Sequence, residues 1–430
     1  MASQHHELLL LLSSLLLSIL SISSSTKSPE TLVLPVKKDA TTLQYLTGIH
    51  QRTPLVPVKL VVDIGSRFLW VDCDKNYVSS SYRPAECNSA ECSLAESSTC
   101  GTCNDTPRPG CNNNTCGLFP ENTITRVGTS GDVINDVVVF RSVHGYSATV
   151  PHFLFTCGST FLLEGLANGV QGMAGFGRTR VAIPNQLSSV FNIHPQFALC
   201  LFSSPSSNGF IFVGNDGTYN LPGGIDISRS LMRTPLIINP VSTSGISVEG
   251  EASSEYFIGV SSIKIDGKAV NLNTTLLSID ESGVGGTKLS TVTPFTTLET
   301  SIYKSVTKAF VKAAKAKKMK SVTAVAPFKT CFSSGVGTFD VPSIDLVLGS
   351  DEVYWRVIGA NSMVEVKEKG VVCLGLMDGG LNPQTSIVIG GHQMENHFLQ
   401  FDLATSILWF SPSLLLQETT CAEFQFRDVA

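Results

Sequence analysis

The sequence predicts an all-β protein built from two similar halves. Of its 430 residues, 43% are hydrophobic and 15% are charged, so the chain can form large cores and global disorder is excluded. Short apolar runs separated by turn residues, together with 36 Gly, favour strands over long helices. A weak internal repeat, in which residues 61–66 and 172–177 resemble residues 288–293 and 386–391, suggests gene duplication and two lobes.

Short runs of β-branched and aromatic residues mark the predicted strands. Examples lie at residues 56–62, 68–71, 137–140, 153–155, 210–213, 256–260, 263–265, 353–358, 371–376, 387–389 and 407–410. The connection between the two halves is expected near residues 214–233.

One amphipathic helix is predicted at about residues 300–320. Apolar side chains recur there at three- and four-residue spacing, namely Ile302, Val306, Ala309, Phe310 and Ala313. The other face carries lysines at positions 304, 308, 312, 315, 317, 318 and 320. This basic stripe has two interpretations, a solvated helix face or a site for an acidic partner, and the first is favoured.

The N-terminus has the pattern of a signal peptide over residues 1–25. Residues 8–20 are Leu and Ile interrupted only by Ser, which is too short to span a bilayer, and small residues follow. A buried apolar helix is the alternative. The mature protein is therefore expected to be secreted and not membrane-bound, with an N-terminal lobe at 26–220 and a C-terminal lobe at 221–430.

The cysteine content fits an oxidising compartment. Twelve Cys predict six disulfides, and the pairing is open at this point. Seven of them lie in a Cys-rich insertion at residues 73–116: Cys73, Cys87, Cys92, Cys100, Cys103, Cys111 and Cys116. The CxxC spacing of Cys100 and Cys103 also occurs in zinc and redox sites, but the cluster contains no His, so a stapled loop is predicted.

Charge and composition limit the expected partners. The net charge of −5 and pI of 5.9 provide no basic field for nucleic acid. The histidines His144, His152, His194 and His397 are scattered, so no metal or other cofactor is expected. Acceptor triplets for N-glycosylation occur at Asn104, Asn113 and Asn273. The three Trp lie in apolar runs typical of a core, although Trp355 could also serve a binding surface.

A short motif after the strand at 56–62 suggests a specific chemistry. Asp63-Ile64-Gly65-Ser66, followed by the apolar residues 68–71, resembles the first active-site motif of pepsin-like aspartic proteases. That chemistry needs two adjacent carboxylates that share one proton, so that one activates water and the other polarises the carbonyl. A single Asp cannot do both.

The C-terminal half lacks the second carboxylate. Where the motif should recur, Ser290 occupies the Asp position and Val292 the glycine position. A serine hydroxyl is un-ionised at neutral pH and cannot replace a carboxylate. The segment at 122–133, where active relatives usually place a Tyr on a hairpin over the cleft, contains no Tyr.

These features together resemble one plant family. Residues 43–46, 70–74, 108–116, 155–160, 259–260, 359–363 and 387–393, and the Ser290-Thr291 replacement itself, resemble the extracellular dermal glycoproteins, xylanase inhibitors and basic 7S globulins, which are inactive-looking relatives of nepenthesin-type aspartic proteases. The resemblance extends over about residues 32–424. It implies an all-β, bilobal pepsin-like aspartic protease fold with two six-stranded-type β-barrel lobes and a few short helices. It also implies six disulfides, which include Cys200–Cys421 and Cys331–Cys373, and Cys157 is among the cysteines expected to be paired.

The resemblance also implies a function. Such proteins bind and block microbial cell-wall glycoside hydrolases, endoglucanases or xylanases, in the apoplast, and a monomer is expected. In glucanase-inhibiting relatives an Arg often precedes the last Cys, where this chain has Gln417 and Glu418. Other cationic candidates for an inhibitory loop are Lys329, Arg356 and His392.

Two other functions stay open. An active aspartic endopeptidase working at acid pH would use the retained Asp63 and Ser66, but Ser290 argues against it. A storage or wall-associated globulin that binds a peptide hormone is compatible with the acidic balance and the glycosylation triplets.

Overall fold

The structure is a computed structural model that describes residues 31–214, 220–221, 225–246, 250–335 and 340–423. The predicted signal peptide, residues 1–25, lies outside the described residues, as does part of the predicted connection between the halves. The described chain is mostly β, with few and mostly short helices, and adopts the bilobal pepsin-like fold that the resemblance implied.

The N-terminal half, residues 31–214, contains fourteen strands. They are β1 (Thr31–Lys38), β2 (Tyr45–Gln51), β3 (Val56–Asp63), β4 (Trp70–Asp72), β5 (Arg83–Pro84), β6 (Thr99–Gly101), β7 (Thr115–Leu118), β8 (Glu121–Asn122), β9 (Val127–Gly128), β10 (Gly131–Ser142), β11 (Ser147–Gly158), β12 (Gly172–Gly175), β13 (Gln196–Cys200) and β14 (Asn208–Gly214).

The C-terminal half has shorter strands. They are β15 (Asn220–Leu221), β16 (Ile225–Asp226), β17 (Met232–Ile237), β18 (Phe257–Ile258), β19 (Ser262–Ile265), β20 (Lys268–Ala269), β21 (Thr287–Leu289), β22 (Thr296–Leu298), β23 (Ser321–Val322), β24 (Cys331–Ser333), β25 (Ile344–Leu348), β26 (Ser350–Val357), β27 (Met363–Val366), β28 (Val371–Leu374), β29 (Leu376–Asp378), β30 (Ile387–Ile389), β31 (Phe398–Asp402) and β32 (Ile407–Phe410).

Within the described residues, five α-helices connect these strands. They are α1 (Ala90–Leu94), α2 (Ile183–Phe191), α3 (Thr300–Ala316), α4 (Gly359–Ser362) and α5 (Gly391–Met394). The predicted long helix is α3, which begins after Glu299, whose carboxylate accepts hydrogen bonds from the backbone N–H groups of Ser301 and Ile302. None of the described helices is long and apolar enough to cross a membrane.

A six-stranded antiparallel sheet joins the two halves. Its order is β1-β14-β13-β31-β32-β17, and the N-terminal half contributes the first three strands. The seam is the pairing of β13 with β31, from Gln196 opposite Asp402 to Cys200 opposite Phe398. Since Phe197 stacks on Phe401 across this seam with ring centroids 4.6 Å apart, the halves share one continuous core.

The internal repeat corresponds to a duplicated four-strand unit. In the N-terminal half, β12 pairs parallel with β3 and antiparallel with β4, and β4 pairs parallel with β11. In the C-terminal half, β30, β21, β22 and β29 repeat the same parallel and antiparallel pairings. In each unit one strand, β3 or β21, ends beside a glycine. In the first unit this glycine is the last residue of the parallel partner strand, and in the second unit it directly follows the partner strand.

All twelve cysteines are paired. Three disulfides lie within the Cys-rich insertion, Cys87–Cys100, Cys92–Cys116 and Cys103–Cys111, and Cys73 is bonded to Cys157 of β11. The CxxC cysteines therefore belong to two different disulfides. The pairs expected from the resemblance, Cys200–Cys421 and Cys331–Cys373, are both present.

The burial of Trp355 decides whether it is a core residue or part of a binding surface. Its side chain is buried, 1% exposed, and it stacks on Phe410 at 5.7 Å. Trp355 is therefore a core residue and does not lie on a binding surface. Trp70 is completely buried, and its indole N–H donates to the carbonyl oxygen of Glu121 at 2.9 Å.

Candidate functional site

Asp63 ends strand β3 at the bottom of a cleft between the lobes. Only 3% of it is exposed, because the apolar strand that carries it runs through the core. Both carboxylate oxygens accept hydrogen bonds, Oδ1 from the backbone N–H of Gly65 at 2.8 Å and Oδ2 from the hydroxyl of Thr123 at 2.6 Å. The carboxylate is thus held in one orientation by a hydrogen bond to each oxygen.

The environment of Asp63 makes its ionisation difficult. The pKa of Asp63 is raised to about 6. Burial raises it most, the hydrogen bonds from Thr123 and Gly65 lower it, the charge of Glu255 raises it and that of Lys288 lowers it. The net result is a carboxyl group that is protonated in mild acid and ionised at neutral pH.

Strand register places Ser290 at the position equivalent to Asp63. Asp63 lies opposite Gly175, at the end of the parallel pair β3–β12. In the second unit the register runs from Thr287 opposite Ile387 to Leu289 opposite Ile389, so its next step sets Ser290 opposite Gly390. The backbone N–H of Ser290 donates to the carbonyl oxygen of Ile389 at 2.9 Å, which keeps this step in register. The geometry supports the alignment that the sequence suggested.

Ser290 and its neighbour are fixed by polar contacts of their own. The Ser290 and Thr293 hydroxyls lie 3.1 Å apart. The Thr291 hydroxyl reaches the other lobe, where it donates to the carbonyl oxygen of Val62 at 2.7 Å and accepts from the backbone N–H of Ile64 at 3.3 Å. Ile64, at the corresponding position of the first motif, has no hydroxyl to return the contact, so the cross-lobe hydrogen bonding is one-sided.

Strands β8 and β9 form the hairpin that covers Asp63. The sequence of residues 122–133 contains no Tyr. Instead, Thr123 of this hairpin donates a hydrogen bond to the Asp63 carboxylate. Asn122 anchors the hairpin, since its side-chain amide donates to the carbonyl oxygens of Leu162 and Glu164, both at 2.8 Å. The hairpin is thereby held over Asp63, the one aspartate of the pepsin-like pair that this chain has.

An ion pair fills the space next to Asp63. Lys288 Nζ lies 2.7 Å from Glu255 Oε1, and both side chains are largely buried. The hydroxyl of Thr243 also donates to Glu255. A Cβ at Gly65 would lie only 2.9 Å from Cγ of Glu255, so Glu255 packs on the glycine of the first motif and any side chain there would displace it.

Two described segments of the C-terminal lobe, residues 242–246 and 250–255, contribute to the lining of the cleft and contact the N-terminal lobe, and we refer to these two segments as the 242–255 loop. The carboxylate of Glu121, from the N-terminal lobe, accepts from the Ser244 hydroxyl and from the backbone N–H of Gly245 at 3.0 Å. Glu251 forms an ion pair with Arg67 at 2.5 Å. The hydroxyl of Ser254 donates to the carbonyl oxygen of Gly65 at 2.7 Å. The loop is thus bonded to both the hairpin base and the Asp63 motif.

The space left in the cleft is small. It amounts to about 200 Å³, and its lining combines charged and hydroxyl side chains, among them Asp63, Glu121, Glu255, Lys288 and Ser290, with the apolar side chains Phe68, Phe119, Val292 and Val388. Ligand pockets in proteins commonly measure ~300–1,000 Å³. An extended peptide therefore does not fit unless the 242–255 loop moves away.

This arrangement lacks the pair of aspartates that the two-carboxylate reaction uses. Two other carboxylates line the cleft, those of Glu121 and Glu255, and Glu255 forms an ion pair with Lys288. A hydroxyl, that of Ser290, stands at the second position of the pair, and the Thr123 hydroxyl donates to Oδ2 of Asp63. Among the described residues, no three His, Cys, Asp or Glu side chains are grouped so that they could hold a metal ion.

Two of the cationic candidates for an inhibitory loop already have acidic partners. Arg356 lies in strand β26 and not on a loop, and its guanidinium donates to both oxygens of Asp345, at 2.7 and 2.9 Å. Lys329 is more exposed, but its ammonium group lies 3.1 Å from Asp378. Each charge is locally compensated.

The third candidate, His392, lies in helix α5 and is mostly buried, which corrects the expectation of a loop residue. Its Nδ1 is 3.2 Å from Glu395 and its Nε2 is 3.2 Å from the carbonyl oxygen of Met363. Glu395 also accepts from Lys38 at 2.5 Å and from the Tyr45 hydroxyl at 2.8 Å. His392 is therefore part of a buried network that joins the lobes.

Gln417, by contrast, lies at the surface. It ends the single 3₁₀ turn Leu414–Gln417 and is half-buried, between the exposed Leu416 and Glu418. The Cys200–Cys421 disulfide and the hydrogen bond from the backbone N–H of Leu414 to the carbonyl oxygen of Asn396, 2.8 Å, fix this segment to the body. We refer to residues 414–420 as the terminal turn.

The remaining predicted positions are compatible with their expected roles. Asn104, Asn113 and Asn273 are all exposed, as acceptors of a glycan must be. Of the scattered histidines, His144, His152 and His194 are exposed and His397 is buried, where burial lowers its pKa to about 4.

Sequence reasoning missed the residues that close the cleft, namely Thr123, Glu121, Glu255 and Lys288. Lys288 carried a usable signal, since a charged residue two positions before Ser290 stands in a buried strand. Glu255 and Thr123 carried none, because their roles depend on partners far away in the chain.

Comparisons with known proteins agree with this geometry. Residues 45–215 match the family model "Xylanase inhibitor N-terminal" and residues 255–412 match "Xylanase inhibitor C-terminal". The chain is 56% identical to a "Probable aspartic proteinase GIP2" from Nicotiana benthamiana, over 97% of this chain and 98% of that protein. It superposes on the crystal structure titled "edgp" with a TM-score of 0.91 and 55% identity, covering 93% of this chain and 99% of that one. On soybean basic 7S globulin the TM-score is 0.79 at 36% identity, covering 93% and 100%.

Proposed function

Because this chain belongs to the xylanase-inhibitor family, we propose that it is a secreted protein without peptidase activity that binds and inhibits microbial cell-wall glycoside hydrolases, either a xyloglucan endoglucanase or a xylanase. The observation that carries the proposal is the cleft itself. Ser290 stands where the second carboxylate is needed, Thr123 is hydrogen-bonded to Asp63, Ser244 is hydrogen-bonded to Glu121, and only about 200 Å³ of space remains between them. A fold that has lost its own chemistry in this way can be retained for binding.

The terminal turn is the proposed contact surface. It projects the exposed Leu416 beside Gln417, and the Cys200–Cys421 disulfide holds it to the six-stranded sheet. A rigid turn loses little conformational entropy when it enters an enzyme cleft. The Gln417 amide can donate a hydrogen bond to a catalytic carboxylate, since its NH₂ group carries two donors.

An inhibition assay tests this proposal. The mature chain is titrated into a xyloglucan-specific endoglucanase and into xylanases, and at least one should lose activity with one-to-one stoichiometry. Leu416→Ala and Gln417→Ala should weaken that inhibition. Leu381→Ala, which removes the same side chain from another exposed site of the C-terminal half, should leave it unchanged.

Peptidase activity at acid pH is the competing function, favoured by the retained Asp63 and by a pKa of about 6, which keeps it protonated below that pH. Cleavage of denatured casein between pH 3 and 6 separates the two. We expect none. A pepstatin-sensitive cleavage that disappears in Asp63→Ala would replace the inhibitor proposal by the peptidase.

A further inference from the structure

Helix α3 presents a row of lysines to solvent. Its apolar side, with Ile302, Val306 and Phe310, is buried against the C-terminal half. Seven exposed lysines lie on the other side of α3 and directly after its end at Ala316, at positions 304, 308, 312, 315, 317, 318 and 320. Hence seven of the 30 Lys and Arg residues of an acidic chain with net charge −5 lie within 17 consecutive positions.

These charges are not compensated locally. The sequence from Thr300 to Lys320 contains no Asp or Glu. Within the described part of the chain, only Lys317 of the seven has a carboxylate within 4.0 Å, that of Asp266 at 3.7 Å. Lys304, Lys308 and Lys312 follow one another at four-residue spacing, where like charges repel and destabilise a helix. Stability alone therefore does not explain the row.

The geometry of the row is regular. Lys304, Lys308, Lys312 and Lys315 are separated by four, four and three residues, so they lie on one face of the helix. With a rise of about 1.5 Å per residue, the charges repeat every ~4.5–6 Å over a stripe ~16 Å long. We call these four residues the lysine stripe.

We propose that the lysine stripe binds a linear acidic polysaccharide of the uronate type, a polymer that carries one carboxylate per sugar. Regularly repeated carboxylates can meet successive ammonium groups, and release of the counterions around both drives the association. Lysine suits this role as a strongly hydrated point charge, whereas an arginine fork selects a defined bidentate partner. The site lies apart from the terminal turn in the sequence and acts in addition to enzyme inhibition, as a means of retention on an anionic matrix.

The chemistry of the stripe favours a polysaccharide over other anionic partners. Lysines are depleted in protein–protein interfaces, and large apolar side chains, which form interface cores and insert into membranes, are exposed elsewhere on the described surface but not between residues 300 and 320. Nucleic-acid sites add arginine and stacking aromatic side chains to their lysines, and the exposed face of α3 carries neither.

The test measures binding of the mature, disulfide-bonded chain to polygalacturonate, with fully methyl-esterified pectin as the uncharged polymer. The key variant replaces Lys304, Lys308, Lys312 and Lys315 by Gln, which preserves helix propensity. The matched control replaces Lys37, Lys75, Lys367 and Lys369 by Gln, four exposed lysines elsewhere with the same total change in charge. Thermal melts verify that both variants fold.

We expect polygalacturonate to bind at low salt, the esterified polymer not to bind, and affinity to fall as salt is added. The stripe variant should bind at least about tenfold more weakly, the control within about twofold of the wild type. Equal losses in both variants, or equal binding of both polymers, would overturn the proposal. So would tighter binding of a single-stranded oligonucleotide of matched charge.

Inhibition of the glycoside hydrolase, measured on the same variants, keeps the two proposals separate. It should stay at the wild-type level in the stripe variant. Lost inhibition with unchanged polygalacturonate binding would make the stripe an enzyme contact and overturn the polysaccharide site. A wild type that binds polygalacturonate but inhibits no hydrolase would retain the site and reject only the inhibitor function.

Discussion

The hydroxyl of Thr123 donates a 2.6 Å hydrogen bond to Oδ2 of Asp63, across 60 residues of sequence. Through this contact the hairpin over the cleft rests on the one carboxylate that the pepsin-like motif has kept. Glu255, paired with Lys288, packs on Gly65 of the same motif. The residual site is therefore a closed cluster of polar side chains. In this cluster Asp63 is held by structural contacts, and no second aspartate is paired with it.

The buried Asp63 should destabilise the fold at neutral pH. Its pKa is raised from 3.8 to about 6, so the folded state binds the proton more tightly than the unfolded state, and stability falls as pH rises through this interval. Two pKa units correspond to about 3 kcal/mol. Asp63→Asn, which keeps an acceptor for Thr123, should therefore raise the free energy of unfolding at pH 7 by up to about 3 kcal/mol and change it little at pH 3.5.

Urea unfolding of wild type and Asp63→Asn at the two pH values checks this. Asp402→Asn is the control, because that carboxyl has a lowered pKa and is more exposed, so its substitution should not stabilise the fold at neutral pH. An Asp63→Asn effect that is the same at both pH values would contradict a raised pKa.

Glu395 should make the junction between the lobes sensitive to acid. Burial tends to raise the pKa of Glu395, but hydrogen bonds and charges from His392 and Lys38 outweigh burial and lower it. A lowered carboxyl pKa stabilises the fold above the unfolded value of 4.5, and this contribution is lost as pH falls through the folded pKa. Glu395→Gln leaves Lys38 without its partner and should cost about 3–5 kcal/mol at pH 7, and less at pH 3.

Chemical denaturation of Glu395→Gln across this pH range provides the measurement. Asp351→Asn breaks the exposed ion pair with Lys264 and should cost less than about 1 kcal/mol, independently of the lobe junction. If Glu395→Gln costs as little as Asp351→Asn, the buried network does not contribute to holding the lobes together.

The disulfides should differ in their contribution to stability. Cys200–Cys421 closes a loop of 221 residues and Cys103–Cys111 one of 8, which correspond to about 5 and about 2.5 kcal/mol of loop-closure entropy in the unfolded chain. Replacement of both cysteines of each pair by Ser should lower the melting temperature more for the first pair. Peptide mapping without reduction should find all six pairs and no free thiol; a crossed pair would contradict the connectivity.

Gln417→Arg should strengthen hydrolase inhibition. A guanidinium donates charge-assisted hydrogen bonds to a catalytic carboxylate, which are about twice as strong as those of a neutral amide. A gain of about 2 kcal/mol lowers the inhibition constant about 30-fold. Gln417→Met, similar in length and uncharged, should not produce this gain. If the wild type already inhibits tightly and Gln417→Arg changes nothing, the terminal turn is not the reactive surface.

The sequence was sufficient for features that depend on local pattern or on internal repetition. Apolar runs predicted the strands at 387–389 and 407–410 with their observed bounds, and helical spacing predicted α3, although the helix ends at Ala316 rather than near residue 320. The repeat also aligned Ser290 with Asp63, because strand register preserves the offset between duplicated units. The number of disulfides followed from composition.

Only the tertiary structure decided what surrounds these residues. The hydrogen bond from Thr123 to Asp63, the hydrogen bonds of Glu121 with residues 244–245 and the ion pair of Lys38 with Glu395, which also contacts His392, join positions tens to hundreds of residues apart. Such contacts produce no periodic pattern in the sequence, because each depends on how the two lobes pack together and not on which residues a single strand or helix buries. The sequence by itself thus determined that the second catalytic carboxylate is missing, and the packing between lobes determined that the cleft is closed.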